Sequence, residues 1–217
     1  MNKKDVPETK LKILKAAEKL FAEKGFDGSR VDDIAENAGV NKALIYYYFK
    51  SKRDVLDELF NRLIEDFTEI TYDIIEEGID FASGGDLTQQ MEGIMGFMEE
   101  RRDTFIIMMM ESLKASDERP PLFRYSEISM SDESERIKQM MRDKGFNVDA
   151  LDMDEALIAD FFTGLMPLIS FIVYRDKWSE YFHIDPEELK EKFFSIFFIT
   201  HIAFHKLQLA RLLPAGD

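Results

Sequence analysis

Residues 29–54 read SRVDDIAENAGVNKALIYYYFKSKRD, and this stretch decides the fold. Ser29 is a candidate helix cap, with Asp32 three residues on in the spacing of a capping box. Val31, Ile34, Ala35 and Ala38 recur at helical spacing and give one apolar face. Gly39 supplies the left-handed stop common at helix ends, and Val40 can fold back on the helix as its apolar contact. Asn41 is a good cap for the next helix, which carries Lys42, Leu44, Ile45, Tyr46, Tyr47 and Tyr48. Ser51 and Asp54 repeat the capping-box spacing at the start of a further helix. Two short helices joined by a tight turn, with Ala35, Gly39 and Ile45 as their steric core, make a helix-turn-helix. The second helix of that unit fits the DNA major groove. Side chains early on it reach base edges, which nominates Lys42, Leu44 and Tyr46. Arg30, at the start of the first, is placed to meet a phosphate.

Upstream, TKLKILKAAEKLFAEKGF (residues 9–26) reads as an amphipathic helix with Ile13, Leu14, Ala17, Leu20 and Phe21 as its buried stripe. Gly25 ends it and lets Phe26 pack back on Phe21. Lys3, Lys4, Lys10 and Lys12 lie near its start. They either touch phosphate or only solvate the terminus. Phe49 reads as core, and Tyr47 as core or contact.

Downstream the signals are all helical. One helix runs from Lys52 to about Asp80, with Val55, Leu59, Leu63, Phe67, Ile70 and Ile74 as its stripe. SGGD at 83–86 is a break, and RPP at 119–121 a turn. Between them lie two helices, 87–103 and 104–116. A helix with a serine-rich middle follows and stops at Gly145. Two long apolar helices close the chain, 153–178 and 186–213, the second opened by Pro186 in its first turn. The expected fold is therefore all-α, with about nine helices: a three-helix N-terminal domain, 1–51, then a larger helical domain, 52–217. The run from Phe161 to Tyr174 is only 14 residues, bracketed by Asp160 and Arg175. That is short of the roughly 20 a bilayer needs, so a buried helix is expected and no membrane partner.

Composition sets further bounds. The net charge is −15, but residues 1–60 hold 12 basic and 11 acidic residues, so the acidity lies in the remainder. An acidic body repels phosphate, and nonspecific DNA binding is largely electrostatic. Affinity then depends on a few placed groups and on doubling by dimerisation. The absence of cysteine excludes disulfides and thiolate metal sites. Met1 to Lys10 is charged and carries no apolar core of a signal peptide, which points to the cytoplasm. No glycine-rich phosphate loop, nucleophile elbow or metal-ligand spacing is present, so neither an enzyme nor a cofactor is expected. His201 and His205 share a helix face, but no third ligand is near in sequence. A polar spot in a subunit seam is expected rather than a metal site. His183 is expected in a surface loop.

Residues 9–60 resemble the DNA-binding domain of the TetR family of transcriptional regulators. The amphipathic first helix, IAENAGV, the tyrosine-rich YYYF and SKRDVL occur in order without gaps. The resemblance covers about a quarter of the chain. It implies that Tyr46 and Tyr48 meet DNA and that Lys52 grips phosphate. With the residues above, the expected contact set is Arg30, Asn41, Lys42, Leu44, Tyr46, Tyr47, Tyr48 and Lys52. It further implies a homodimer through the last two helices, a palindromic double-stranded operator, and release by a small molecule held among the middle helices. The candidate lining is Phe97, Phe105, Met108, Met109, Phe161, Phe162 and Met166, with Phe171 beside them; most of these equally suit an ordinary core. Such a lining suits a hydrophobic ligand. Glu111 and Asp160, acidic within apolar surroundings, either meet a cationic ligand or are solvated or paired. Gly164 and Pro167 bend the helix that carries them. The alternative is a DNA-binding protein of the same fold that ignores small molecules and serves a structural or protein-partner role.

Overall fold

The computed structural model of the chain describes residues 7–76, 87–115, 120–124, 132–143 and 145–212. Every regular element among these residues is helical. The helices are α1 (Glu8–Gly28), α2 (Val31–Ala38), α3 (Lys42–Tyr48), α4 (Lys52–Glu76), α5 (Leu87–Glu100), α6 (Arg102–Lys114) and α7 (Asp132–Asp143). Two long ones follow, α8 (Met153–Phe182) and α9 (Pro186–Leu212). A helical turn at 121–124 and a 3-10 turn at Val148–Ala150 complete the set. Lys3, Lys4, the SGGD break, Arg119 and the serine-rich segment lie outside the described residues, as does the continuation of α4 towards Asp80.

The chain forms two compact units. The first joins the chain up to Glu69 with Arg101–Leu122. Its core is the predicted α1 stripe together with Ile34 and Ala35 of α2, Ile45 of α3, and Val55, Leu56, Phe60, Leu63 and Ile64 of α4. Phe49 is 3% exposed and belongs to this core. α6 also packs on α1. The Thr104 hydroxyl donates to the Glu18 carboxylate, and Lys114 reaches Asp27 at 3.3 Å. Phe105 meets Phe67 edge to face at 6.3 Å between centroids. The compact unit thus extends beyond the three N-terminal helices to most of α4 and all of α6.

The second unit joins Ile70–Glu100 with the chain from Phe123 onward. α5 and α9 both pack on α8. Phe171 stacks on Phe193 at 4.2 Å and 18°, and Arg175 pairs with Glu99. Asp185 caps α9, its carboxylate accepting from the N–H groups of Glu187 and Glu188. His183 is exposed and left-handed, at φ 54, where α8 ends. Both long helices are interrupted by a π turn, Asp160–Leu165 in α8 and Phe198–Ile202 in α9, and the two turns pack against each other.

The expectation that the α8 apolar run is too short for a bilayer needs correction. Asp160 is the one charged residue between Glu155 and Arg175. Over 18-residue windows α8 and α9 reach mean hydropathies of 2.0 and 1.3, enough by length and composition to cross a membrane. Only 39% and 18% of those windows is buried inside the chain. Ile158, Phe162, Tyr174, Ile196, Ile199 and Leu207 are all more than half exposed.

Candidate nucleic-acid interface

The helix-turn-helix is held by local backbone chemistry. Gly25 takes φ 73, the chain turns after α1, and Phe26 folds back on Phe21 at 5.4 Å. Ser29 then differs from expectation. Its side chain makes no cap on α2. The buried hydroxyl donates backwards to the carbonyls of Gly25 at 2.8 Å and Leu20 at 3.0 Å. The expected capping box at Ser29 and Asp32 is replaced by a cap on the open end of α1. The turn at Gly25 brings the hydroxyl back onto the last turns of α1. Arg30 stands before α2 in extended backbone and is exposed.

The remaining caps form as expected. Gly39 is left-handed at φ 67, and the N–H of Val40 donates to Ala35 O at 3.0 Å, closing the turn onto α2. Asn41 Oδ1 accepts from Leu44 N–H at 2.8 Å and fixes where α3 starts. Ser51 Oγ accepts from Asp54 N–H at 3.1 Å, and Asp54 returns an acceptor to Lys50 N–H at 2.9 Å.

This framework turns one face of α3 inward and the other outward. Ile45 is 1% exposed, whereas Tyr46 and Tyr47 are 51% and 78% exposed. Tyr47 is therefore a surface residue, meeting Tyr48 edge to face at 5.0 Å, and the core alternative for it is removed. Asn41 and Lys42 are exposed, and Leu44 is half-buried.

Two lysines are already engaged. Lys42 Nζ lies 2.8 Å from Asp32 Oδ1, and that hydrogen bond holds its ammonium above the ordinary lysine range. Asp32 escaped the sequence reading as a partner because it looked like a cap. Lys52 Nζ donates to Phe26 O at 2.6 Å and Ser29 O at 2.8 Å, and lies 4.2 Å from the Phe26 ring centroid. Two of its three hydrogens thus clamp the α1–α2 connection to the start of α4.

A profile of the tetR family of bacterial regulatory proteins matches residues 13–59. The biofilm operon icaADBC HTH-type negative transcriptional regulator IcaR of Staphylococcus aureus (strain Newman) is 45% identical over 47 residues, 22% of this chain and 25% of its own length. The chain thus spans about a quarter of the length of that curated relative. The TetR family transcriptional regulator PfmR of Thermus thermophilus superposes with TM-score 0.50 and 26% identity, over 74% of this chain and 84% of its own. Residues 13–59 thus carry the DNA-binding domain of the TetR family. The fatty acid degradation regulator FadR of Bacillus halodurans has the same fold, with TM-score 0.54 and 19% identity over 89% of this chain and 96% of its own.

The candidate ligand residues are distributed over both units. Phe105 and Met108 are buried and Met109 half-buried in the first unit. Glu111, 8% exposed, is paired with Lys114 at 2.9 Å. In the second unit Phe97 is buried, Met166 is half-buried, and Phe161 meets Phe123 edge to face at 5.6 Å. Phe162 is a correction: at 66% exposed it lines no enclosed space within the chain. A cleft in the second unit is polar, lined by Glu99, Arg175, Asp176, Pro186, Glu187 and Lys190.

Proposed function

We propose that the chain is a cytoplasmic, dimeric repressor that binds a palindromic double-stranded operator and is released by a hydrophobic small molecule. One observation supports DNA binding above others. α3 is pinned by Asn41 at its start and Ile45 on its inner face, and it offers a row of exposed tyrosines beside Lys42. Such a rigid helix face presents hydrogen-bonding tips to base edges and phosphates together. Arg30 and Leu44 flank it, Tyr48 continues it, and Lys52 keeps one hydrogen for a phosphate.

The uncovered apolar face of α8 and α9 supports dimerisation through these helices. Many large apolar side chains left exposed on one helix pair suit an interaction site. A two-fold dimer sets two α3 helices against half-sites about one DNA turn apart. The richness of α5, α6 and α8 in Phe and Met supports an apolar effector, because these side chains adapt to hydrophobic ligands.

Selection from random DNA, followed by gel-shift titration, tests the reading. The expected result is a two-fold symmetric site whose affinity falls at least about tenfold in Tyr46→Ala and Tyr47→Ala, since each good base contact contributes roughly 1–3 kcal/mol. Enrichment of no sequence, or affinity untouched by both substitutions, sinks the DNA-contact assignment. Hydrophobic compounds that leave the complex intact across a broad panel would remove the effector and leave a ligand-independent DNA binder.

A further inference from the structure

Three side chains from two helices converge where the π turns of α8 and α9 face each other. A carboxylate oxygen of Asp160 and one ring nitrogen each of His201 and His205 lie within 4.8 Å of one another. His205 Nε2 is buried and stands 2.9 Å from Asp160 Oδ1, yet it has no hydrogen-bond partner. The two atoms are at bonding distance without bonding alignment. A buried ring nitrogen left unpartnered beside a carboxylate and a second imidazole is a set of donor atoms with room for a shared ligand.

His201 is prepared in the same sense. The Thr163 hydroxyl donates its hydrogen to Ala159 O at 2.7 Å, so its oxygen must accept from His201 Nδ1–H, 2.9 Å away. That bond fixes the tautomer and leaves the Nε2 lone pair unprotonated. Metal-bound histidines almost always donate their other nitrogen to an oriented acceptor in this way. Gly164 completes the approach: a Cβ there would stand 2.7 Å from His201 Cε1. A single-turn π insertion re-aims side chains and is frequent at functional sites. Here one falls in each helix at the level of the cluster.

We propose that Asp160, His201 and His205 bind a divalent transition-metal ion of the zinc class, bridging α8 and α9. Two imidazoles and a carboxylate suit such borderline cations. Ligand atoms about 2.0–2.2 Å from zinc stand roughly 3–3.5 Å apart. Asp160, with its side chain 59% exposed, is the ligand free to swing in to that spacing, and its exposed side gives the ion an entry path and room for water as a further ligand. Thr163 is a positioning residue, acting through His201. The site is independent of the repressor reading and survives its failure.

The test uses the full chain stripped with a chelator and titrated with Zn(II) alone. The expected result is one zinc per chain, a thermal midpoint that rises with zinc, and a visible absorption spectrum of nitrogen- and oxygen-ligated Co(II) on cobalt substitution. Asp160→Asn, at an exposed position, should weaken binding at least about tenfold, and His205→Gln more. Thr163→Val should cost roughly tenfold, in the range of second-shell changes, with Thr163→Ser restoring affinity. Absence of stoichiometric binding overturns the proposal. So does zinc binding that persists in Asp160→Asn and in a folded His201→Gln/His205→Gln chain, because the ion then sits on surface carboxylates.

Discussion

Gly39 and Gly164 each sit where two helices meet, for opposite reasons. At Gly39 the backbone is left-handed, φ 67, and an added Cβ would meet nothing within 4 Å. At Gly164 the backbone is helical and the space is taken, with the His201 ring 2.7–3.2 Å from a Cβ. The first glycine serves a dihedral angle, and its cause lies within its own turn. The second serves a neighbour on another helix. The helix-turn-helix is built from contacts of the first kind, and the α8–α9 pair from contacts of the second.

The largest effect expected from this contrast lies on the outer surface of the α8–α9 pair. Phe162→Glu with Ile199→Glu places charges at two positions that are 66% and 71% exposed in the single chain. If that face joins two subunits, the substitution gives a monomer by light scattering. Operator affinity should then fall by about 100-fold or more, the scale on which linked binding sites reinforce each other. The chain's own fold should survive, since neither side chain is in its core. A dimer that persists would mean the two regions do not divide DNA contact and assembly as proposed.

Substituting the two glycines sharpens the comparison directly. Gly39→Ala forces an L side chain into left-handed backbone and should cost about 1–2 kcal/mol in urea unfolding. Gly164→Ala overpacks the contact with His201 and should cost about 1–3 kcal/mol. The sizes overlap, so the decisive measurement is coupling. His201→Ala should relieve much of the Gly164→Ala cost, with an interaction energy of roughly 0.5–3 kcal/mol, and none of the Gly39→Ala cost. Equal behaviour in both cycles would erase the distinction.

The same contrast explains what could be read from sequence. Gly39, Val40, Asn41 and Ser51 were legible because each acts on backbone within five residues. The buried stripes of α1 and of α4 from Val55 to Phe67 were legible because helical spacing alone assigns them a face. Ser29 was misread because two helix ends compete for one hydroxyl, and the outcome depends on the turn at Gly25. The partners of Lys52 lie 23 and 26 residues away, beyond any spacing rule. The third member of the histidine cluster escaped because Asp160 reaches it across the helix pair, through π turns that no periodicity announces. Local chemistry is written in the neighbouring letters, whereas a site made by two helices requires their register first.

The smallest expected effect tests the nucleic-acid face itself. Lys42 and Asp32 form an exposed ion pair at 2.8 Å. Exposed pairs contribute little to stability, so Asp32→Asn should leave the urea midpoint nearly unchanged. For DNA the sign is different. If α3 meets DNA as proposed, Asp32 would set a negative charge beside the phosphates, and its pair with Lys42 would hold the ammonium away from them. Asp32→Asn should therefore tighten operator binding a few-fold, and the salt slope should steepen by about 1 as Lys42 becomes available to a phosphate. Lys42→Ala should move both quantities the opposite way. If Asp32→Asn weakens binding instead, the pair positions α2 against α3, and Lys42 reads no phosphate.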